Sequence, residues 1–209
     1  MTQTLIFDLD GTISDPLLGI ANCTNHAFAA LGHPTFDIED IRPWVGPPFE
    51  IMFRGLLGDL TDAQVADIVT HYRERYGAVG YAENTLYDGM PEVLSALADR
   101  GFRLGVCTSK KVDFAEKILL HFGLRSHFGF VDGGDVGVKK ADQLARLVAG
   151  GLDPESSIMI GDRAVDIEAA KASGMASMGV LWGFGDRAEI EAAAPDLAVE
   201  SPSAMVQML

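Results

Sequence analysis

Residues 4 to 12 read Thr4-Leu5-Ile6-Phe7-Asp8-Leu9-Asp10-Gly11-Thr12. The short apolar run that stops at Asp8 predicts a buried strand with a carboxylate at its carboxyl end. Further strand-like runs follow at 102–107, 128–131, 157–161, 176–181 and, more weakly, 197–199. Helical patterns alternate with them. One spans 91–100, with Pro91 in its first turn and Gly101 as its stop; others span 112–122 before Gly123 and 164–173 before Gly174. Strands spaced by helices in this way predict a parallel sheet covered on both faces, an α/β, Rossmann-like core.

One connection is too long for that plan. More than 90 residues separate the first strand from the second, whereas a parallel crossover needs about a dozen, and the helix at 91–100 already supplies it. Residues 14–84 are therefore surplus to the sheet. They carry helical signals of their own at 17–31, 48–57 and 61–76, the last opened by Thr61-Asp62-Ala63-Gln64, a capping-box pattern. The organisation expected is a core of 1–13 and 85–209 interrupted by a helical domain at 14–84.

Composition sets outer limits. The chain has 209 residues, 48% of them hydrophobic, enough to bury a full core. It carries 16 Lys+Arg against 30 Asp+Glu, a net charge of −14 that repels nucleic acid and acidic membrane surfaces. An anionic substrate must then be small and held by local cations, backbone N–H groups or a metal ion. The opening MTQTLIFDLD has neither a basic n-region nor a long apolar segment, so a cytoplasmic location is expected. Cys23 and Cys107 are expected as two buried thiols.

Ligands of open α/β sheets bind beyond the carboxyl ends of the strands. Those ends carry Asp8 and Asp10, then Thr108-Ser109-Lys110, then Gly161-Asp162-Arg163 followed by Asp166. Carboxylates gathered at one sheet edge repel each other unless a cation neutralises them, and a hard divalent ion, Mg²⁺, suits oxygen donors. Other chemistries find no footing. A Cys-x5-Arg phosphatase built on Cys107 would need Arg at position 113, which is Asp113, and the five histidines show no metal-ligand spacing.

Asp8-Leu9-Asp10-Gly11-Thr12 resembles the first signature of the haloacid dehalogenase superfamily. Thr108 after Val106-Cys107 resembles its small-hydroxyl motif, Lys139-Lys140 its basic motif, and Gly161-Asp162-x-x-x-Asp166 its acidic motif, so the likeness covers nearly the whole chain. The insertion resembles the helical type-1 cap. Val45-Gly46-Pro47-Pro48 and Trp182-Gly183-Phe184-Gly185 look most like the phosphoglycolate phosphatase-like branch. The resemblance implies Asp8 as nucleophile and Asp10 as general acid and base. It implies Mg²⁺ held by Asp8, the Asp10 carbonyl and Asp162, with Asp166 as ligand through water or as a brace. Thr108 and the Ser109 N–H would bind the phosphoryl oxygens, and Lys140, favoured over Lys139, would neutralise the transferring group. Arg42, Gly46 and Phe49, in and around the proline loop, are the candidates for substrate specificity.

Departures from the pattern sort the chemistries. True dehalogenases lack the second Asp of D-x-D, since a halide leaves without an acid, and Asp10 is present here. β-Phosphoglucomutases usually carry Val where Thr12 stands and a His where Ile20 stands, which favours hydrolysis over transfer. The expected activity is a Mg²⁺-dependent phosphatase of a small phosphorylated metabolite, with 5′-nucleotidase or pyrophosphatase as alternatives on the same core. A non-catalytic phosphate-binding module is the rival from another class, and it has no use for Asp10.

Overall fold

The computed structural model describes residues 3–46, 48–134 and 138–209; Pro47, in the loop singled out above, lies outside the described residues. The chain divides into two compact units, one made of the residues up to Asp15 with Leu86–Leu209, the other of Pro16–Thr85. Strands β1 (Thr4–Phe7) and β2 (Ser14–Asp15) precede the second unit, and β3 (Thr85–Leu86) stands where the chain returns.

The second unit is helical: α1 (Leu17–Ala30), α2 (Ile38–Ile41) running into a 3₁₀ turn at Arg42–Trp44, α3 (Phe49–Leu57) and α4 (Asp62–Ala78). On α4 the buried residues are Val65, Ile68, Tyr72 and Tyr76, spaced so that one face of the helix meets the core. That core is aromatic. The Phe28 ring lies 5.7 Å from Phe53, and Phe49 lies 4.4 Å from Tyr72, which stacks on Tyr76 at 5.6 Å. Arg75 adds a forked pair to Glu83 at 2.7 and 2.8 Å.

The first unit is a six-stranded parallel sheet in the order β5-β4-β1-β6-β7-β8, with β4 (Arg103–Lys111), β5 (Phe128–Gly134), β6 (Ser157–Gly161), β7 (Ala176–Val180) and β8 (Leu197–Val199). Helices α5 (Met90–Asp99), α6 (Val112–His121), α7 (Lys140–Ala149) and α8 (Ala164–Ala172) make the crossovers; α9 (Arg187–Ala193) and α10 (Pro202–Met208) complete it. Every residue of β1 and β6 is buried, as their unbroken apolar runs require when helices cover both faces. From β1 the chain builds outward through β4 and β5, then returns to the other flank of β1 for β6, β7 and β8. The carboxyl end of β1 is thus the point where strand order reverses, the usual place for a ligand crevice.

Two differences from the sequence expectation matter for the site. Strand β4 runs on to Lys111 instead of ending at Cys107, because its pairing with β5 resumes at Lys111 opposite Gly134 after an irregularity. Helices α2, α9 and α10 carry no strong period in the sequence and are short, four to seven residues, so neighbours rather than local pattern define them. Both cysteines are free and buried, and burial pushes the Cys107 thiol up to about 12.

The capping box that opens α4 is formed: the Thr61 side chain accepts from the Gln64 N–H, and the Gln64 side chain accepts from the Thr61 N–H at 2.9 Å. Thr61→Ala removes the first of these bonds and is expected to lower stability by about 1 kcal/mol in a urea titration followed by circular dichroism. An unchanged midpoint would show that water replaces the cap at no cost.

Candidate active site

Strand β1 delivers Asp8 to the reversal point, where the Asp8 N–H still donates to the Ile160 carbonyl of β6 at 2.8 Å. Phe7 lies opposite Val106 on one side and Ile160 on the other. Two residues beyond each of these partners, Thr108 in the last part of β4 and Asp162 just past β6, therefore stand at the same edge of the sheet as Asp8 and Asp10.

Lys140, the first residue of α7, is 5% exposed and sends its Nζ to Asp8 Oδ2 at 2.9 Å and to Asp166 Oδ1 at 2.5 Å. Burial works against the Lys140 ammonium; the Asp166 and Asp8 carboxylates outweigh it, and its pKa is raised. Lys139, by contrast, is the exposed residue preceding the helix, and its N–H donates to Asp142. Asp166 is fixed from a second side by the Arg163 N–H, 3.1 Å from Oδ2, and Asp8 Oδ1 accepts the Leu9 N–H at 2.7 Å.

Asp162 is held on both oxygens. Its Oδ1 lies 3.3 Å from the Thr12 hydroxyl, and its Oδ2 accepts the Phe184 N–H at 2.8 Å. The backbone of the Gly11 turn presses directly on it: Gly11 has φ +82°, and a Cβ there would stand 2.1 Å from Asp162 Oδ2. On the far flank, Trp182 Nε1 donates to the Thr12 carbonyl at 3.1 Å, tying the 182–185 segment to the turn that carries Asp10.

Asp8, Asp162 and Asp166 each offer an oxygen atom, and the three atoms lie within 4.8 Å of one another, all in buried residues. The lysines that pair with this edge, Lys140 and Lys110, leave carboxylate charge in excess. The effect is visible at Asp162, where burial first, then Asp8 and Asp166, push the carboxyl up to about 7. Hard oxygen donors short of positive charge fit a divalent cation such as Mg²⁺.

Asp10 is set apart from that cluster. Its side chain, about a quarter exposed, turns to Lys110, whose Nζ is 2.8 Å from Oδ2, while Oδ1 is buried with no hydrogen-bond partner among the described residues. Burial raises its pKa against the pull of Lys110. Two neighbouring carboxyl groups thus stand in different surroundings, Asp8 paired with Lys140 and Asp10 with Lys110. Thr108 is buried and its hydroxyl accepts the Lys110 N–H at 3.3 Å; Ser109 is exposed beside it.

The remaining candidates belong to the helical unit. Arg42 is exposed and paired with Glu39 at 2.8 Å, Gly46 has φ +110°, and Phe49 packs into the aromatic cluster with Phe53 and Tyr72. Sequence reasoning assigned no role to Lys110 or Gln143. Lys110 follows Thr108 by two, the strand period, and Gln143 is a polar residue three after Lys140, one helical turn on and next to the apolar Leu144, so a faint signal existed for each.

Residues 5–180 match the model of the haloacid dehalogenase-like hydrolases. A 5′-nucleotidase of Pseudomonas aeruginosa is 37% identical over 98% of this chain and 94% of its own length. A phosphoglycolate phosphatase of Psychrobacter arcticus is 31% identical over 99% and 95%. Among solved structures, a haloacid dehalogenase-like family hydrolase from Streptococcus pneumoniae superposes with a TM-score of 0.90 at 30% identity, covering 99% of this chain and 98% of that one. With a match that spans most of the chain and relatives aligned nearly end to end, the protein belongs to the haloacid dehalogenase-like hydrolases, as a phosphatase with a Rossmann-like core.

Proposed function

We propose that the protein is a Mg²⁺-dependent phosphomonoesterase that works through an aspartyl-phosphate on Asp8. The observation that carries this reading is the buried Lys140 ammonium shared by Asp8 and Asp166 beside an Asp10 whose inner oxygen has no partner among the described residues. The Asp8 carboxylate attacks phosphorus and the ester P–O bond breaks; Asp10 gives its proton to the departing alkoxide. Asp10 then takes a proton from water, the water oxygen bonds to phosphorus, and the Asp8–phosphorus linkage breaks to release phosphate and restore both groups. Thr108 and the Ser109 N–H bind the non-bridging oxygens, and Lys140 balances their charge.

Asp8, Asp162 and the Asp10 carbonyl would hold Mg²⁺, with Asp166 as brace to Lys140. When bound, the ion supplies charge neutralisation at the phosphoryl group. Substrate choice is assigned to the helical unit, with Arg42, Gly46 and Phe49 as the residues that discriminate. Phosphoglycolate is the substrate class favoured by the 182–185 segment and by the likeness to a phosphoglycolate phosphatase. The 5′-nucleotidase reading is carried by a relative of higher identity.

Asp8→Asn is expected to abolish turnover of p-nitrophenyl phosphate with the fold intact, and acid quenching should trap ³²P on the wild type alone. A variant that keeps more than about one per cent of kcat would remove Asp8 from the nucleophile's role. Lys140→Ala should cut kcat severely, whereas Lys139→Ala, at an exposed position, should change it little; the reverse order would reassign the lysine. A ranking of kcat/KM should place 2-phosphoglycolate above nucleoside 5′-monophosphates. The opposite ranking establishes the nucleotidase reading.

A further inference from the structure

Gln143 stands three residues after Lys140 on α7, so one helix face carries both side chains. Lys140 reaches Asp8 and Asp166; Gln143, fully buried, reaches the end of β4. Its Nε2 donates to the Thr108 carbonyl at 2.9 Å and to Asp132 Oδ1 at 2.8 Å. The Asp132 carboxylate is gripped in turn by Arg146 of the same helix, with Nη2 2.9 and 3.1 Å from its two oxygens.

These bonds fall where the β4–β5 pairing loses register. Cys107 faces Asp132 and Thr108 faces Gly133, and then the pairing slips until Lys111 faces Gly134. The residues inside the slip are Ser109 and Lys110, which bring an N–H proposed for the phosphoryl oxygens and the ammonium that pairs with Asp10. A buried carboxamide is a costly way to fill volume, since an apolar side chain of similar size needs no hydrogen bonds. Both hydrogens of this one are aimed, one at the carbonyl of the slipped strand and one at a carboxylate that fixes which end of the amide points there.

We propose that Gln143 is a positioning residue for the phosphoryl-binding turn at 108–110, holding the Thr108 hydroxyl and the Ser109 N–H in register with the Lys140 that the same helix supplies. The assignment rests on the reading of Thr108 and Ser109 as phosphoryl ligands. Gln143 itself touches no reacting atom. Its effect is to keep two oxygen-binding groups from β4 and one cation from α7 at fixed separations, the kind of restraint that a small displacement defeats.

The test uses inorganic phosphate as a competitive inhibitor of p-nitrophenyl phosphate hydrolysis at saturating Mg²⁺, alongside a separate Mg²⁺ titration and a thermal melt. Gln143→Met is expected to raise the phosphate inhibition constant on the order of 10-fold. The Mg²⁺ concentration for half-maximal turnover should stay where it is, because Asp8 and Asp162 stand just past β1 and β6, away from the slip in β4. Gln143→Glu, which keeps the shape and loses the amide N–H donors, should behave likewise. A phosphate constant equal to wild type in Gln143→Met overturns the proposal, as do parallel losses of phosphate and Mg²⁺ affinity with a lowered melt, the mark of a merely structural role. Thr108→Ala separates the two layers of the argument. If it leaves the phosphate constant unchanged, the reading of Thr108 fails; if it raises that constant and Gln143→Met does not, only the role of Gln143 fails. Should Gln143→Met not fold, Asp132→Ala removes the group that aims the amide and is expected to give the same phosphate-selective loss, smaller in size; no loss there overturns the proposal.

Discussion

The Lys140 ammonium is buried between two carboxylates, 2.9 Å from Asp8 and 2.5 Å from Asp166. A charge in that position is tolerable only while both partners are in place, since removing either leaves an uncompensated ion out of water. The pairing therefore demands that three elements arrive together: β1 with Asp8, α7 with Lys140 and α8 with Asp166. The packing beneath supplies the registration. Ile6 of β1, Cys107 of β4, Leu144 of α7, Met159 of β6 and Ala170 of α8 form one buried cluster under the sheet edge. Apolar burial sets the helices on the sheet, and the ion triad ties α7 and α8 to the end of β1.

The same edge separates the surroundings of its carboxylates. Asp8 and Asp166 share the lysine of α7, Asp162 is pinned by the Thr12 hydroxyl and the Phe184 N–H, and Asp10 turns to Lys110 on β4. Each is thereby given a different balance of desolvation and counter-charge, although all four are aspartates within a few residues of strand ends. The raised pKa of Asp162 and the uncommitted oxygen of Asp10 are consequences of that division. No helix among the described residues is long and apolar enough to cross a membrane.

Much of this was legible along the chain because it depends on near neighbours. An unbroken apolar run such as Thr4–Phe7 has to be covered on both faces, glycines at 101, 123 and 174 end helices where φ turns positive, and Thr61 with Gln64 closes its box within one turn. The surplus of chain between the strand at 4–7 and the strand at 102–107 is likewise read from length and from the helical patterns within it. Asp8 and Asp10 are two apart on one turn, so their meeting at the strand end needed no knowledge of the rest of the fold. The choice of Lys140 over Lys139 was different in kind. Adjacent residues on a helix point about 100° apart, and only the seating of α7 on the sheet decides which is buried and which is solvated.

Contacts made between distant segments were not legible. Lys110 meets Asp10, Gln143 meets the Thr108 carbonyl and Trp182 meets the Thr12 carbonyl across separations of up to 170 residues. Each depends on the lateral order of the strands, which places β4 and β6 on either side of β1, and on a register slip in β4 that no residue type announces. The sequence by itself determined the parallel α/β core, its main strands and crossover helices and the residue types at the strand ends, because those follow from local period and spacing. The tertiary structure alone decided which charges pair and which polar groups are braced, because side chains that interact over a few ångströms are brought together by crossovers, and the chain between them carries no record of the distance.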